Sequence, residues 1–316
     1  MVTRITQILL LLQGLLAFAI AAAAHSVLHL SLFISILMGL GLVLLVRMAI
    51  TANNFFINRY YCGPAPQDQK LSSMQWLRLY LTEFRTTMYC SSWSMPFLSF
   101  SKRYVAHPQG LPVLLIHGYA CNSGYWHGMS AALRKADISH YAVSLEPVFG
   151  AIDDYVPILR DAVDELCRDA GTDQVVILAH SMGGLAARAY LRADGDRRVA
   201  KLITLGSPHR GTGLANFGLG SNSQQMRWTG TAQQGQSCAW LNSLNACENE
   251  TRLAKFVSIY SCHDNIIAPQ VSSELKGAKN IAIKGVGHVA LAYTPLVQQY
   301  VIAEILAAGK DTVTTP

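Results

Sequence analysis

A chain of 316 residues can hold one large domain with additions. Its hydrophobic fraction of 51% and mean hydropathy of +0.25 are high for a wholly soluble protein and point to membrane segments. The net charge of +6 lies entirely in residues 1–110, where Arg4, Arg47, Arg59, Lys70, Arg78, Arg85, Lys102 and Arg103 face only Asp68 and Glu83; a basic excess so placed suits a lipid surface, not a nucleic acid.

Ile5 to Ala24 carries no charge, and Leu30 to Ile50 carries one, Arg47 near its end. Each is close to the ~20 residues needed to cross a bilayer. The pair predicts a transmembrane hairpin turning at His25 to His29. The alternative for the first run is a cleavable signal peptide, with Arg4 before an apolar core and Ala22-Ala23-Ala24 as its cleavage site. Because the basic residues flank the hairpin and its turn has no Lys or Arg, the positive-inside rule places both of its ends in the cytoplasm. The seven cysteines are scattered, odd in number and form no C-x-x-C pair, which suits a reducing compartment. Cys238 and Cys247 are near enough in sequence for a disulfide if the domain is exported.

Cys62-Gly63-Pro64-Ala65-Pro66 reads as a linker. Leu71, Met74, Leu77, Leu81, Phe84 and Met88 then recur at helical spacing, with Gln75, Arg78, Glu83 and Arg85 off the stripe. This predicts an amphipathic helix packing its apolar stripe on the domain, the alternative being an interfacial helix lying on the membrane. From Leu111, apolar runs at Pro112–His117, Tyr141–Leu145, Gln174–Ala179, Ala200–Leu205, Lys255–Tyr260 and Asn280–Lys284 read as short buried strands. Helical stretches at Tyr125–Ala136, Asp153–Ala170, Met182–Ala193 and Val289–Ala308 separate or follow them. The alternation predicts a mostly parallel sheet with helices on both faces. Gly211 to Glu250 breaks the rhythm with a long Gly/Asn/Gln/Ser-rich stretch, a candidate lid or a plain surface excursion.

In QVVILAHSMGGLAARAY (Gln174 to Tyr190) an apolar strand meets Ser181, and a helical pattern begins at once behind Gly183 and Gly184. A strand that reverses into a helix around one serine presents that serine as a nucleophile. Serine is weak alone, so it needs a base in reach and an acid to orient the base. Asp264 follows the strand Phe256 to Tyr260, and His288 follows the strand Asn280 to Lys284, both on the carboxyl edge where Ser181 also lies. Asp194 and Asp196 come too early, and Glu274 falls in an expected helix between the two strands. His263 should point away from Asp264, while His180 and His209 border the cleft. Oxyanion donors are expected from the backbone N–H of Met182, at the helix start, and of Tyr119, in the loop His117-Gly118-Tyr119, with His117 supporting that loop.

Together LLIHGYACNSGYW, LAHSMGGLAARAYL, LGSPHRGTGLA, YSCHDNIIAP and GVGHVAL resemble the bacterial lipase/esterase branch of the α/β-hydrolase superfamily, over Leu111 to about Tyr300. The resemblance implies the α/β-hydrolase fold and a catalytic triad of Ser181, Asp264 and His288. Many secreted members of that branch bind structural calcium through aspartates near the triad. This chain has no Asp between Asp196 and Asp264, or between Asp264 and Asp311, so no calcium site and no other cofactor is expected.

The expectation is therefore a membrane anchor at 1–52, a linker and juxtamembrane helix at 53–110, and a catalytic domain at 111–310 with its candidate lid at 211–250. The expected activity is serine carboxylic-ester hydrolysis of a lipidic acyl ester at a bacterial inner membrane, with the catalytic domain in the cytoplasm, or exported if the first segment is cleaved. The alternatives are acyl transfer from the same site and a non-catalytic membrane accessory protein.

Overall fold

The computed structural model describes residues 1–62, 69–231 and 234–311, without the side chains of Lys310 and Asp311. Two apolar helices, α1 (Val2–Ser26) and α2 (Leu32–Tyr61), run antiparallel about a reversal at 27–31. Ala17, Ser35 and Gly39 are among the few residues buried between them, small enough to let the backbones approach. Both helices are long and apolar enough to cross a membrane, and their other side chains are largely exposed. At 30 residues α2 is about 45 Å long, well beyond the ~30 Å of a hydrocarbon core. The expected linker from residue 53 is therefore helical as far as Tyr61, since Ala52 to Tyr61 contains no helix breaker. Gly63 to Asp68, the rest of that linker, lie outside the described residues.

The third helix, α3 (Ser73–Tyr89), begins with a capping box in which Ser72 and Gln75 satisfy each other's backbone N–H. Its orientation corrects the packing expectation. Met74, Trp76, Leu77 and Leu81 are exposed, and the residues it buries are Leu79 and Glu83. Met74, Leu77 and Leu81 of the apolar stripe face outward while Leu71, Phe84 and Met88 are half-buried, and the helix is seated by the acid, whose carboxylate accepts hydrogen bonds from the domain. A wide turn at Cys90–Ser94 and the short α4 (Met95–Phe97) lead into the sheet.

The main sheet has seven strands: β1 (Lys102–Arg103), β2 (Val113–Ile116), β3 (His140–Val143), β4 (Val175–His180), β5 (Val199–Leu205), β8 (Phe256–Ser261) and β9 (Lys279–Ile283). A separate hairpin supplies β6 (Trp228–Thr229) and β7 (Gln236–Ser237). The order is β1-β3-β2-β4-β5-β8-β9, parallel except for β1 against β3. Alternate residues divide between two cores. Leu114, Ile116, Ile177 and Ala179 meet α6 (Val156–Ala170) and α7 (Met182–Asp194) on one face. Val113, Leu115, Val176, Leu178, Ile203 and Leu205 meet α5 (His127–Lys135) and α11 (Pro295–Asp311) on the other. This period-two division is what near-continuous apolar strands look like when both faces are covered. The two-residue β1 was not expected, being too short and too polar to show as a strand.

The stretch 211–250 is built of small pieces: a turn at Gly213–Phe217, α8 (Gly220–Gln224), the β6–β7 hairpin and α9 (Ala239–Ala246), followed by α10 (Glu250–Leu253). Its interior is well seated, since Met226, Leu241 and Leu244 join the core against α7. Cys238 and Cys247 form no disulfide with each other. Glu248 holds the fully buried Arg188 of α7 in a two-pronged pair, Nε to Oε1 at 2.6 Å and Nη2 to Oε2 at 2.7 Å, with Asn245 Oδ1 also accepting from Nη2. Removing one partner of a buried pair leaves an uncompensated charge, at a cost of about 3–5 kcal/mol. Glu248→Ala should therefore lower the melting temperature by on the order of 10 °C, read by thermal scanning of the full chain.

The roots of the hairpin rest on the carboxyl side of the sheet. Near the start of α1, Thr3 Oγ1 accepts from Asn122 Nδ2 in the loop after β2, and Gln7 donates to Pro96 O in α4. At the far end of α2, Asn58 Nδ2 donates to Ile267 O after β8. Tyr61 packs on the loop after β5, touching Gly213 and accepting from Asn216 Nδ2. Between them Arg47 donates to Ser91 and Ser92.

Candidate active site

Ser181 is the residue between β4 and α7, with φ 54° and ψ −127°. A non-glycine residue at positive φ is strained. The strain is held by Ser181 N–H donating to Leu205 O on the neighbouring strand and by Ser181 O accepting from Gly184 N. The loop after β2 passes so close that a Cβ on Gly118 would stand 2.8 Å from Ser181 Cβ, which only glycine avoids. Beside it, the backbone N–H groups of Tyr119 and Met182 donate to no acceptor among the described residues. His117 fixes this loop: its Nδ1–H donates to Gly118 O at 2.8 Å, and Nε2 accepts from Leu145 N–H at 2.9 Å. Burial pushes the His117 imidazole down to about 4, so it serves as a neutral strut.

Asp264 and His288 come from the ends of β8 and β9. Asp264 Oδ2 accepts from His288 Nδ1 at 2.7 Å, and Asp264 Oδ1 accepts from Ile266 N–H and Ile267 N–H at 2.7 and 2.8 Å. The carboxylate is thus aimed by its own loop. Asn265 Oδ1 accepts from His288 N–H at 2.9 Å and fixes the histidine's backbone in turn. Both side chains are almost fully buried. Desolvation pulls the His288 imidazole down, but Asp264 and then Glu83 outweigh it and leave it above its ordinary value. Gly206, immediately after β5, lies beneath the pair: a Cβ there would stand 3.1 Å from Asp264 Oδ2 and 3.2 Å from His288 Nδ1.

The remaining candidates fall elsewhere. Asp194 pairs with Arg160 and Asp196 with Lys255. Glu274 follows a single turn at Gln270–Ser273, where a helix was expected. His263 turns away to Gln69 O and to Gly285 N–H. His209 is buried beside Arg188, Thr204 and Ser258, and burial first, then Arg188 and Arg210, hold it well below its ordinary value. His180 is buried as well. Its ring stacks on Tyr125 at 4.3 Å and lies 4.5 Å from the His288 ring, and its Nε2–H donates to His288 O.

Within 211–250, Thr212 bonds the loop after Asp264, and the tip at 217–220 bonds the Tyr119 side chain. Tyr119 Oη donates to Leu219 O and accepts from Leu219 N–H, both at 2.9 Å, while Phe217 and Leu219 stay exposed. Glu83, Asn265 and Gly206 were absent from the sequence-derived site. Glu83 did carry a signal, as one of two acids among the first 110 residues and the only one within the amphipathic pattern. The other two carried none.

A mostly parallel sheet of this order, with a strained serine between strand and helix and an Asp–His pair beyond the last two strands, is the arrangement of the α/β-hydrolase fold, and this chain has that fold. Its likenesses are to lipases and to palmitoyl protein thioesterases. The family model for palmitoyl protein thioesterases matches residues 112–242, a span that contains Ser181 and ends before Asp264 and His288. A triacylglycerol lipase of Pseudarthrobacter phenanthrenivorans is 32% identical over 117 residues, 34% of this chain and 35% of that one. A triacylglycerol lipase of Burkholderia plantarii is also 32% identical over 117 residues, 34% of this chain and 32% of its own. The chain thus spans about a third of the length of these curated relatives. The mature form of a Bacillus licheniformis lipase shares the fold, with a TM-score of 0.54, 17% identity, and coverage of 66% of this chain and 97% of that one.

Proposed function

We propose that this protein is a membrane-anchored serine ester hydrolase that cleaves lipidic acyl esters through an acyl-enzyme. The observation that carries the reading is the buried 2.7 Å hydrogen bond between Asp264 and His288, formed on the sheet edge where Ser181 sits strained at the head of α7. Ser181 Oγ attacks the acyl carbonyl while His288 Nε2 takes its proton. Asp264 holds Nδ1–H and stabilises the imidazolium. The N–H groups of Tyr119 and Met182 receive the oxyanion. His288 then returns the proton to the leaving group, and water cleaves the acyl-enzyme by the same steps in reverse order.

The two apolar helices support anchoring in a bilayer, and the exposed Met74, Trp76, Leu77 and Leu81 of α3 support contact with its surface. In this reading the hairpin occupies the bacterial inner membrane, and the basic flanks put the catalytic domain on the cytoplasmic side. The thioesterase match favours acyl thioesters as a second substrate class.

The test is a series of p-nitrophenyl esters and acyl thioesters of increasing chain length, given to the full chain in detergent micelles, with fluorophosphonate labelling alongside. Turnover rising with acyl length, together with labelling, is expected. A protein that neither labels nor turns over any member of the series is not this enzyme.

A further inference from the structure

Glu83 lies on α3, outside the span matched by the thioesterase model, yet it is buried against the loop that carries His288. Its Oε1 accepts from Val289 N–H and its Oε2 from Ala290 N–H, each at 3.0 Å. These are the first two donors of the turn Val289–Tyr293, whose preceding residue is His288 itself. Such leading N–H groups have no partner within their own turn, and here one carboxylate takes both. The fit extends to Gly287, where a Cβ would stand 2.4 Å from Glu83 Oε2. Backbone on both sides of His288 is therefore in contact with this one side chain.

We propose that Glu83 is a positioning residue for His288: it locks the histidine's loop through two charge-assisted hydrogen bonds and supplies a second negative charge beside the imidazolium that forms during catalysis. The proposal rests on the hydrolase reading above. It explains why an acid on the polar side of an amphipathic helix is buried. A neutral side chain of the same shape could not accept both N–H groups, and an apolar one would leave them buried without acceptors. The charged and titratable groups facing the pair come from several elements. Asp264 and His180 face His288, whereas His288, Asp264, Cys90 and Tyr125 face Glu83. Among the groups acting on His288, Asp264 and Glu83 are those that raise it; burial raises Glu83 itself, and Val289 N–H, His288 and Ala290 N–H oppose that by favouring its carboxylate.

The same contact ties α3 to the site. Its outer face carries Met74, Leu77 and Leu81 while its inner face grips the His288 loop, so the seat of this helix and the pose of the base are one arrangement.

The test uses the full chain in detergent micelles, a soluble p-nitrophenyl ester, and pH profiles of kcat/KM for wild type, Glu83→Gln and Glu83→Asp, each measured below its own melting temperature. For Glu83→Gln we expect kcat to fall roughly tenfold with little change in KM, and the acid limb to move to lower pH because a charge favouring imidazolium is gone. Glu83→Asp keeps the charge but reaches the two donors less well, so its acid limb should stay with wild type while kcat falls. An acid limb in Glu83→Gln that superimposes on wild type overturns the proposal and leaves Glu83 a packing residue; a limb in Glu83→Asp displaced as far as in Glu83→Gln does the same. Ser181→Ala, run in parallel, separates the two levels. If it still hydrolyses the ester, the hydrolase reading and this inference fall together. If it is inactive while the Glu83→Gln profile is unmoved, the inference falls alone.

Discussion

Ser181→Ala should reduce turnover of a p-nitrophenyl ester by on the order of 10⁴-fold or more in kcat, and should abolish fluorophosphonate labelling, with an unchanged melting temperature. The size follows from the proposed mechanism: without Oγ no acyl-enzyme would form, leaving only the oxyanion donors acting on water. The unchanged stability follows from geometry. Alanine meets the same positive-φ strain as serine, and the contacts that hold the turn are made by the main chain, Ser181 N–H to Leu205 O and Gly184 N–H to Ser181 O. Ser207, in the loop after β5, is buried and its Oγ has no hydrogen-bond partner among the described residues, so no imidazole there accepts its proton. A Ser181→Ala protein with wild-type turnover would remove the mechanism entirely.

Asp264→Asn should cost about 10³- to 10⁴-fold in kcat while leaving KM little changed. The structure makes the tautomer argument sharp. Asp264 Oδ1 is already committed to two backbone donors, the N–H groups of Ile266 and Ile267. An asparagine there keeps its oxygen on those donors and turns its NH2 toward His288. Two donors cannot share one hydrogen bond, so Nδ1 becomes an acceptor and the ring proton moves to Nε2. An imidazole protonated at Nε2 cannot accept the proton of Ser181. The loss should be largest at neutral pH and shrink in alkaline buffer, where hydroxide replaces part of the base. A pH series of single-turnover acylation rates checks both statements.

The candidate active-site half of the molecule was legible because its signals are local. Strand termini at Ile116, His180, Ser261 and Ile283 lie within a residue or two of the apolar runs that foretold them, and chemistry-bearing residues follow those termini directly in the chain. Elements whose shape is decided by distant partners were less legible. The apolar stripe of α3 has the spacing of a core-facing helix, yet Met74, Leu77 and Leu81 are exposed, and the helix seats Glu83 on two N–H groups some two hundred residues away. Periodicity reports that a helix has two faces; it does not report which face the rest of the protein requires. The same limit applied to 211–250. Its composition is that of a loop, but Leu241 and Leu244 fill core positions, and Arg188 needs Glu248 to be buried at all. Asn265 and Gly206 act through a backbone contact and an absent Cβ, which leave no trace in a pattern of apolar and polar residues.

The hairpin meets the globular part at both of its roots, through Thr3 and Gln7 on one side and Asn58 and Tyr61 on the other, with Arg47 between them. A domain held by slack peptide roams a volume set by its linker. One seated at both roots keeps a constant attitude to whatever holds the helices. On the anchored reading the search for substrate becomes two-dimensional: the esters that matter are those diffusing within the leaflet past a stationary mouth. The quantity that saturates such an enzyme is the mole fraction of ester among its lipid neighbours, and the aqueous concentration drops out of the rate law.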